Sequence, residues 1–142
     1  MLWEIYLKKD TVYLPTVAKT DAGIYSDIEP VKVVQVWDTD AFVAAIKETM
    51  ARGNPIIPTP KRDAWPEPVV LKYANVKSWS AFEKETVDWA IVKKAGIYQI
   101  KPGKRHPDGG WEDDRERIET LPEGATVDDV AKRAVELVQS SR

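Results

Sequence analysis

Between Leu2 and Lys8, apolar and polar side chains alternate: Trp3, Ile5 and Leu7 are separated by Glu4, Tyr6 and Lys8. A period of two sends successive side chains to opposite sides of the backbone, so this stretch suits a half-buried β-strand and not a helix. The pattern continues downstream. Thr11–Val17 is rich in β-branched and aromatic residues, and Pro15 within it marks an edge strand or a strand end. Thr20-Asp21-Ala22-Gly23 supplies a turn, Ile24–Ile28 a short strand, and Pro30 an interruption. Val31–Trp37 (VKVVQVW) is then the strongest strand of the chain. A first third made of successive strands, with few and unevenly spaced helices after it, points to an α+β fold. The expected architecture is one antiparallel or mixed sheet with two to three helices packed mainly on one face.

The helices have clear signals. Asp38 or Thr39 caps a helix whose apolar face is Phe42, Ala45, Ile46 and Met50, and Gly53 stops it. Ser80 and Glu83 fit a capping box that opens a short helix over Ser80–Thr86. Residues 87–95 admit two readings, a continuation of that helix or the first arm of a hairpin turning at Gly96; the alternation on both sides of Gly96 favours the hairpin, Asp88–Lys93 with Ile97–Lys101. Val69–Ala74 and Arg115–Leu121 read as further strands. Thr126 caps a last helix, with Asp129 in the capping-box position and an apolar face running from Val127 to Val138.

Two irregular stretches remain. NPIIPTPKRDAWPEPVV, residues 54–70, holds five of the ten prolines. A flexible linker would be rich in Gly and Ser, whereas this stretch carries Ile56, Ile57 and Trp65, which call for cover. It reads as an ordered loop of the fold, stiffened by proline. Pro55-x-x-Pro58 followed by Lys61 and Arg62 also resembles a polyproline ligand, a weaker reading because such matches are common by chance. The second stretch, PGKRHPDGGWEDD at 102–114, is dominated by turn residues. Whether the two stretches meet is open at this stage.

At 142 residues, with 43% hydrophobic and 31% charged residues, the chain has the make-up of a single folded domain. It contains no cysteine, so disulfides, thiolate catalysis and cysteine-ligated metal are excluded. The opening residues lack the pattern of a leader peptide, and no apolar run is long enough to span a bilayer, which places the protein in the cytoplasm. Its net charge of −2, from 21 basic and 23 acidic residues, offers no basic field for nucleic acid or an anionic membrane.

Residues that could carry chemistry are few. His106 is the single histidine and lies among turn residues; with no cysteine present, any triad would have to be built around it. No phosphate-binding glycine motif occurs. The acid pairs Asp38/Asp40 and Asp128/Asp129 are explained as helix starts, and Glu112–Asp114 lacks calcium-loop spacing. Asp27 and Glu29 have no such explanation. No catalytic residue, metal ligand or cofactor is therefore assigned.

Tryptophan is the compositional oddity: six, against five tyrosines and two phenylalanines. Trp3, Trp37 and Trp89 lie in or beside strand patterns and read as core. Trp65 and Trp111 lie in the irregular stretches among prolines, glycines and charges, where a large ring with a polar tip suits an interface. The candidate binding residues are Lys61, Arg62 and Trp65 on the first stretch, and Lys104, Arg105, His106 and Trp111 on the second. The expected function is non-enzymatic protein binding by an adaptor, a regulator or a toxin-neutralising immunity-type protein, with another protein as partner. Two alternatives stand behind it: a nucleotide or nucleic-acid binder using Lys101, Lys104, Arg105 and Trp111, and a small enzyme centred on His106.

Overall fold

The computed structural model describes residues 1–142. Its frame is an eight-stranded sheet: β1 (Leu2–Lys8), β2 (Thr11–Thr20), β3 (Tyr25–Gln35), β4 (Ile56–Ile57), β5 (Thr86–Lys94), β6 (Ile97–Arg105), β7 (Trp111–Asp113) and β8 (Glu119–Thr120). The main order is β3-β2-β1-β5-β6-β7, with β4 beside β2 and β8 beside β6. All pairs are antiparallel except β2 with β4. Four helices complete a single α+β domain: α1 (Thr39–Ala51), α2 (Val70–Ala74), α3 (Trp79–Lys84) and α4 (Val127–Ser140). None is long and apolar enough to cross a membrane.

The alternation in β1 decides the layering. Trp3, Ile5 and Leu7 face one side and join Val12, Leu14, Trp89, Ile91 and Ile100 in the main core. The two long helices close that side, α1 through Phe42, Ala45, Ile46 and Met50, and α4 through its Val130–Val138 face. The helices run antiparallel: Lys47 pairs with Asp128 at 3.2 Å, and Gln139 donates to Thr39 and to the Val36 carbonyl, each at 2.9 Å. A second, smaller cluster forms on the other side of the sheet, with Tyr6, Tyr13 and Val31 under Val70, Leu71 and Phe82 of the short helices.

Several local expectations are corrected. Val70–Ala74 is a helix, not a strand; so short a stretch, with Lys72 in its middle, carries too little periodicity of its own, and the second cluster recruits Val70 and Leu71 from one helical turn. Ser78, not Ser80, caps α3, accepting from the Ala81 N–H at 3.1 Å. Residues 115–117 form a 3₁₀ turn, and only Glu119–Thr120 of the expected last strand pairs. Strand β3 continues through Pro30, because on the sheet's edge its missing N–H has no neighbour to serve. Strand β2 is internal, yet Pro15 is accommodated: it lies beyond the last β1 pair, Tyr6 with Tyr13, and at a register shift against β3. Trp37 is 59% exposed and Ile56 70% exposed, so neither is covered. Val31–Gln35 ends one residue short of Val36, the last residue to enter the core, and Trp37 falls in the turn into α1.

The proline-rich stretch is an ordered part of the fold, and its first residue explains why. The register of β1 against β2 would set Leu2 opposite Val17, but direct pairing stops at Tyr6 and Tyr13. The Asn54 carboxamide bridges the gap. Its Nδ2 donates to the carbonyls of Leu2 (2.7 Å) and Val17 (2.9 Å), and its Oδ1 accepts from the Leu2 N–H (3.0 Å). Beyond it, Ile56 and Ile57 pair with Lys19 and Thr20, and Thr59 binds Asp21.

The structure resolves the two readings of residues 87–95 as strand. Ala95 (φ 52°) and Gly96 (φ 80°) form a two-residue turn between β5 and β6, with both residues in the left-handed region that type I′ hairpins require. Alanine is a poor choice at the first position.

Two predictions follow from these contacts. Asn54→Ala leaves three backbone groups without their partner and lowers stability by about 2–4 kcal/mol in urea titration. Ala95→Asn relieves the turn and raises stability by about 0.5–1 kcal/mol in the same measurement, with the spectrum of the folded state unchanged.

Candidate functional site

Side chains on the second side of the sheet do not form a simple apolar layer. Tyr6 is its centre. The Phe82 ring meets it edge-on at 5.5 Å, Trp79 edge-on at 6.1 Å, and Trp111 at 6.0 Å. Trp79 in turn touches Trp111 edge-on at 5.6 Å. Edge-to-face pairs of this kind add about 0.5–1.5 kcal/mol each beyond the area they bury. Room for Trp111 comes from Gly103: a Cβ there would stand 2.9 Å from the Asp88 carbonyl oxygen and 3.4 Å from the Trp111 Cβ.

Acids lie among these rings. The Tyr6 hydroxyl donates to Asp27 at 2.7 Å. Burial pushes the Asp27 carboxyl up to about 6, against the lowering effect of that hydrogen bond. Burial, then repulsion from Asp88, holds the Glu4 carboxyl well above the usual carboxylate range. Asp88 is raised as well, chiefly by burial, although it accepts a hydrogen bond from Glu4. Glu4 Oε2 and Asp88 Oδ1 are sealed from solvent, with no donor from the rest of the chain in reach. Burial and mutual repulsion both disfavour charge on this pair, and neither acid forms an ion pair with a cation of the chain.

A cavity of about 340 Å³ opens onto this group. Glu4 and Tyr6 of β1, Tyr25 and Asp27 of β3, and Trp79 of α3 line one part of it; the Trp65–Pro68 segment forms the other wall. Trp65 remains 40% exposed there. No Lys, Arg or His lines the cavity, whereas Glu4, Asp27 and Glu67 do. The acidic side chains are not arranged as a metal-binding cluster.

The residues expected from the sequence fall into separate places. Trp65 lines the cavity with Trp79, and Trp111 packs edge-on against the same Trp79, so the two irregular stretches meet through a residue belonging to neither. Lys61 and Arg62 lie in an exposed turn, closed by the Ala64 N–H to the Lys61 carbonyl at 2.8 Å, and they do not line the cavity. Lys104, Arg105 and His106 are on the β6–β7 hairpin, and each faces an acid. Lys104 lies 3.8 Å from Glu112, and His106 Nε2 is 3.8 Å from Glu112. Arg105 donates to the Glu83 carbonyl at 2.5 Å and lies 3.3 Å from its carboxylate. Glu83 also accepts from the Gly110 N–H at 2.7 Å, which ties the hairpin to α3. Lys101 pairs with Asp113 at 3.5 Å. The cations of the basic-aromatic loop are thus each matched by an acid of the chain.

The site's main components, Glu4, Tyr6, Asp88 and Trp79, were not singled out by the sequence. The signal was present in β1: a tyrosine beside a glutamate on the nominal solvent side of a strand is a large ring seeking cover. Of the acids gathered here, only Asp27 had stood out as unexplained, together with Glu29, which lies outside the group.

No protein-family model matches the sequence, and no curated protein matches it significantly. Solved structures share the fold, among them these two. One is a protein of unknown function from Neisseria meningitidis, with a TM-score of 0.68 and 10% identity, covering 99% of this chain and 93% of that one. The other is a chain of a CdiA-CT/CdiI toxin and immunity complex from Yersinia pseudotuberculosis, with a TM-score of 0.63 and 12% identity, covering 98% and 95%. At such identities the likeness is one of fold, end to end.

The buried acids give a pH signature. Asp27 binds its proton more tightly in the folded protein than in the unfolded chain, so its burial costs nothing below about pH 4. Stability then falls as pH rises through about 6. The loss is on the order of 2 kcal/mol after allowance for partial solvent access. Asp27→Asn keeps an acceptor for the Tyr6 hydroxyl, raises stability at pH 7.5 and flattens that part of the profile. Urea midpoints of both proteins at pH 5 and 7.5 measure the effect.

Proposed function

We propose that this chain is a protein-binding module of the toxin-neutralising immunity type, acting in the cytoplasm on a protein partner and catalysing no reaction. The observation that carries the reading is the position of Trp65. A segment with prolines at 55, 58, 60, 66 and 68 is anchored at one end by Asn54 and at the other by α2, and it holds the indole open at a cavity mouth. A large ring displayed on a stiffened arm loses little conformational freedom on docking, which is what an interface anchor needs. The fold shared with a chain of a toxin and immunity complex supports the same reading. Trp111 serves it indirectly, as the floor on which Trp79 stands. The nucleic-acid alternative is weaker, because Lys101, Lys104 and Arg105 are already matched by Asp113, Glu112 and Glu83.

The test is co-expression with the proteins encoded beside this chain's gene, followed by isolation of a stoichiometric complex. Trp65→Ala is expected to weaken that complex at least about tenfold, by about 1.4 kcal/mol or more, while leaving the unfolding transition within about 0.5 kcal/mol of wild type. Trp111→Ala is expected to lower stability by about 1.5–3 kcal/mol, through loss of its ring contacts. A complex indifferent to Trp65→Ala, or a Trp65→Ala chain that unfolds, would refute the assignment.

A further inference from the structure

We infer that the cavity under Trp65 is a socket for one basic side chain of the partner, best matched by an arginine guanidinium. This deepens the protein-binding reading and rests on it. Three features of the cavity point the same way. Its charge is one-sided: the carboxyls of Glu4, Asp27 and Glu67 line it, and no basic residue does. Its acids are unanswered from within. Asp27 receives only the Tyr6 hydroxyl, no cation of the chain pairs with Glu4, Asp27 or Glu67, and the nearby lysines Lys72 and Lys101 are committed to Glu29 and Asp113. Its walls are aromatic, with Tyr6, Tyr25, Trp65 and Trp79 presenting rings.

A carboxylate floor between aromatic walls selects for a cation that can both accept ring stacking and donate several hydrogen bonds. The guanidinium does this better than the ammonium, being planar, forked and weakly hydrated. One wall already attracts a cation from this chain: the Lys19 ammonium stands over the Tyr25 ring at 5.5 Å. A volume of about 340 Å³ admits one long side chain, and it lies at the small end of the range for small-molecule sites. The energetic logic is that of an interface charge pair whose acidic half is already desolvated. Much of the desolvation cost is met in folding, so an incoming guanidinium gains the attraction without repeating it.

The experiment is a titration of the isolated, full-length protein with N-acetyl-arginine-amide at low salt and pH 7.5. Tryptophan fluorescence and amide chemical shifts report binding, and the neutral isostere N-acetyl-citrulline-amide is run in parallel. The expected result is saturable binding of the arginine compound with a Kd of about 1–10 mM and shifts centred on Glu4, Asp27 and Trp65. The citrulline compound should bind at least about fivefold more weakly. Asp27→Asn and Glu67→Gln preserve shape and remove charge from the cavity lining, so both variants fold, and each should weaken arginine binding about tenfold. Equal binding of the two compounds, no saturation by the arginine compound, or full affinity in both variants would overturn the socket. The outcome is separable from that of the protein-binding reading. If a partner complex still depends on Trp65 while arginine fails to bind, the socket alone is wrong. If arginine binds and no partner complex forms, the socket stands and the partner class is wrong.

Discussion

Strand β1 is seven residues long, and both layers of the molecule are built on its two sides. Its odd-numbered residues, Trp3, Ile5 and Leu7, are almost fully buried against α1 and α4. Its even-numbered residues Glu4 and Tyr6 form the floor of the cavity on the other side. A one-residue slip of this strand would exchange the two sets, driving Glu4 and Lys8 into the main core and exposing Trp3. The main core therefore fixes the register, and the register fixes the site. The side of the sheet with little freedom to vary holds in place the side that carries the charges.

That dependence explains why the fold was more legible in the sequence than the site. Period-two alternation in Leu2–Lys8, the Phe42–Met50 stripe ended by Gly53, and the Thr126/Asp129 capping box are local signals, and each corresponds to an element of the structure. The reading of Val69–Ala74 failed because its structure is set by what it covers. Trp37 failed for a related reason: a strand pattern says which residues alternate and not where the strand leaves the core. The site is non-local throughout. Glu4 and Asp88 come from β1 and β5, Asp27 from β3, and Trp79 from a one-and-a-half-turn helix; nothing in their spacing announces that they meet. Trp65 and Trp111 stood out by composition alone, and the residue that joins them, Trp79, fell just before the helix start expected at Ser80 and drew no reading of its own.

The two irregular stretches owe their order to different means. Residues 54–68 are held by backbone geometry: Asn54 substitutes for the missing β1–β2 ladder, two residues pair with β2, and the prolines restrict the remainder. Residues 102–114 are held by charge, with Glu83 receiving both Arg105 and the Gly110 N–H. The first means spends no cation, so the acids beside it stay unneutralised. The second consumes its own cations. This difference, and not the exposure of any one ring, separates the stretch suited to meeting a partner from the stretch suited to bracing the scaffold.

Burying Glu4, Asp27 and Asp88 beside one another lowers stability at neutral pH, and the fold has simple ways to avoid it. Glutamine or asparagine at these positions would fill the same volume without charge, and apolar residues would extend the Tyr6–Phe82 cluster. A scaffold selected for stability alone has no use for two acids lining a half-closed aromatic cavity with a third packed beside them. Their cost is offset elsewhere, by a main core of twenty buried residues on the opposite side of the same sheet. Local instability tolerated by a well-packed frame is the usual physical mark of a working surface. Here it singles out the one cavity whose charge, shape and open tryptophan are left incomplete by the chain itself.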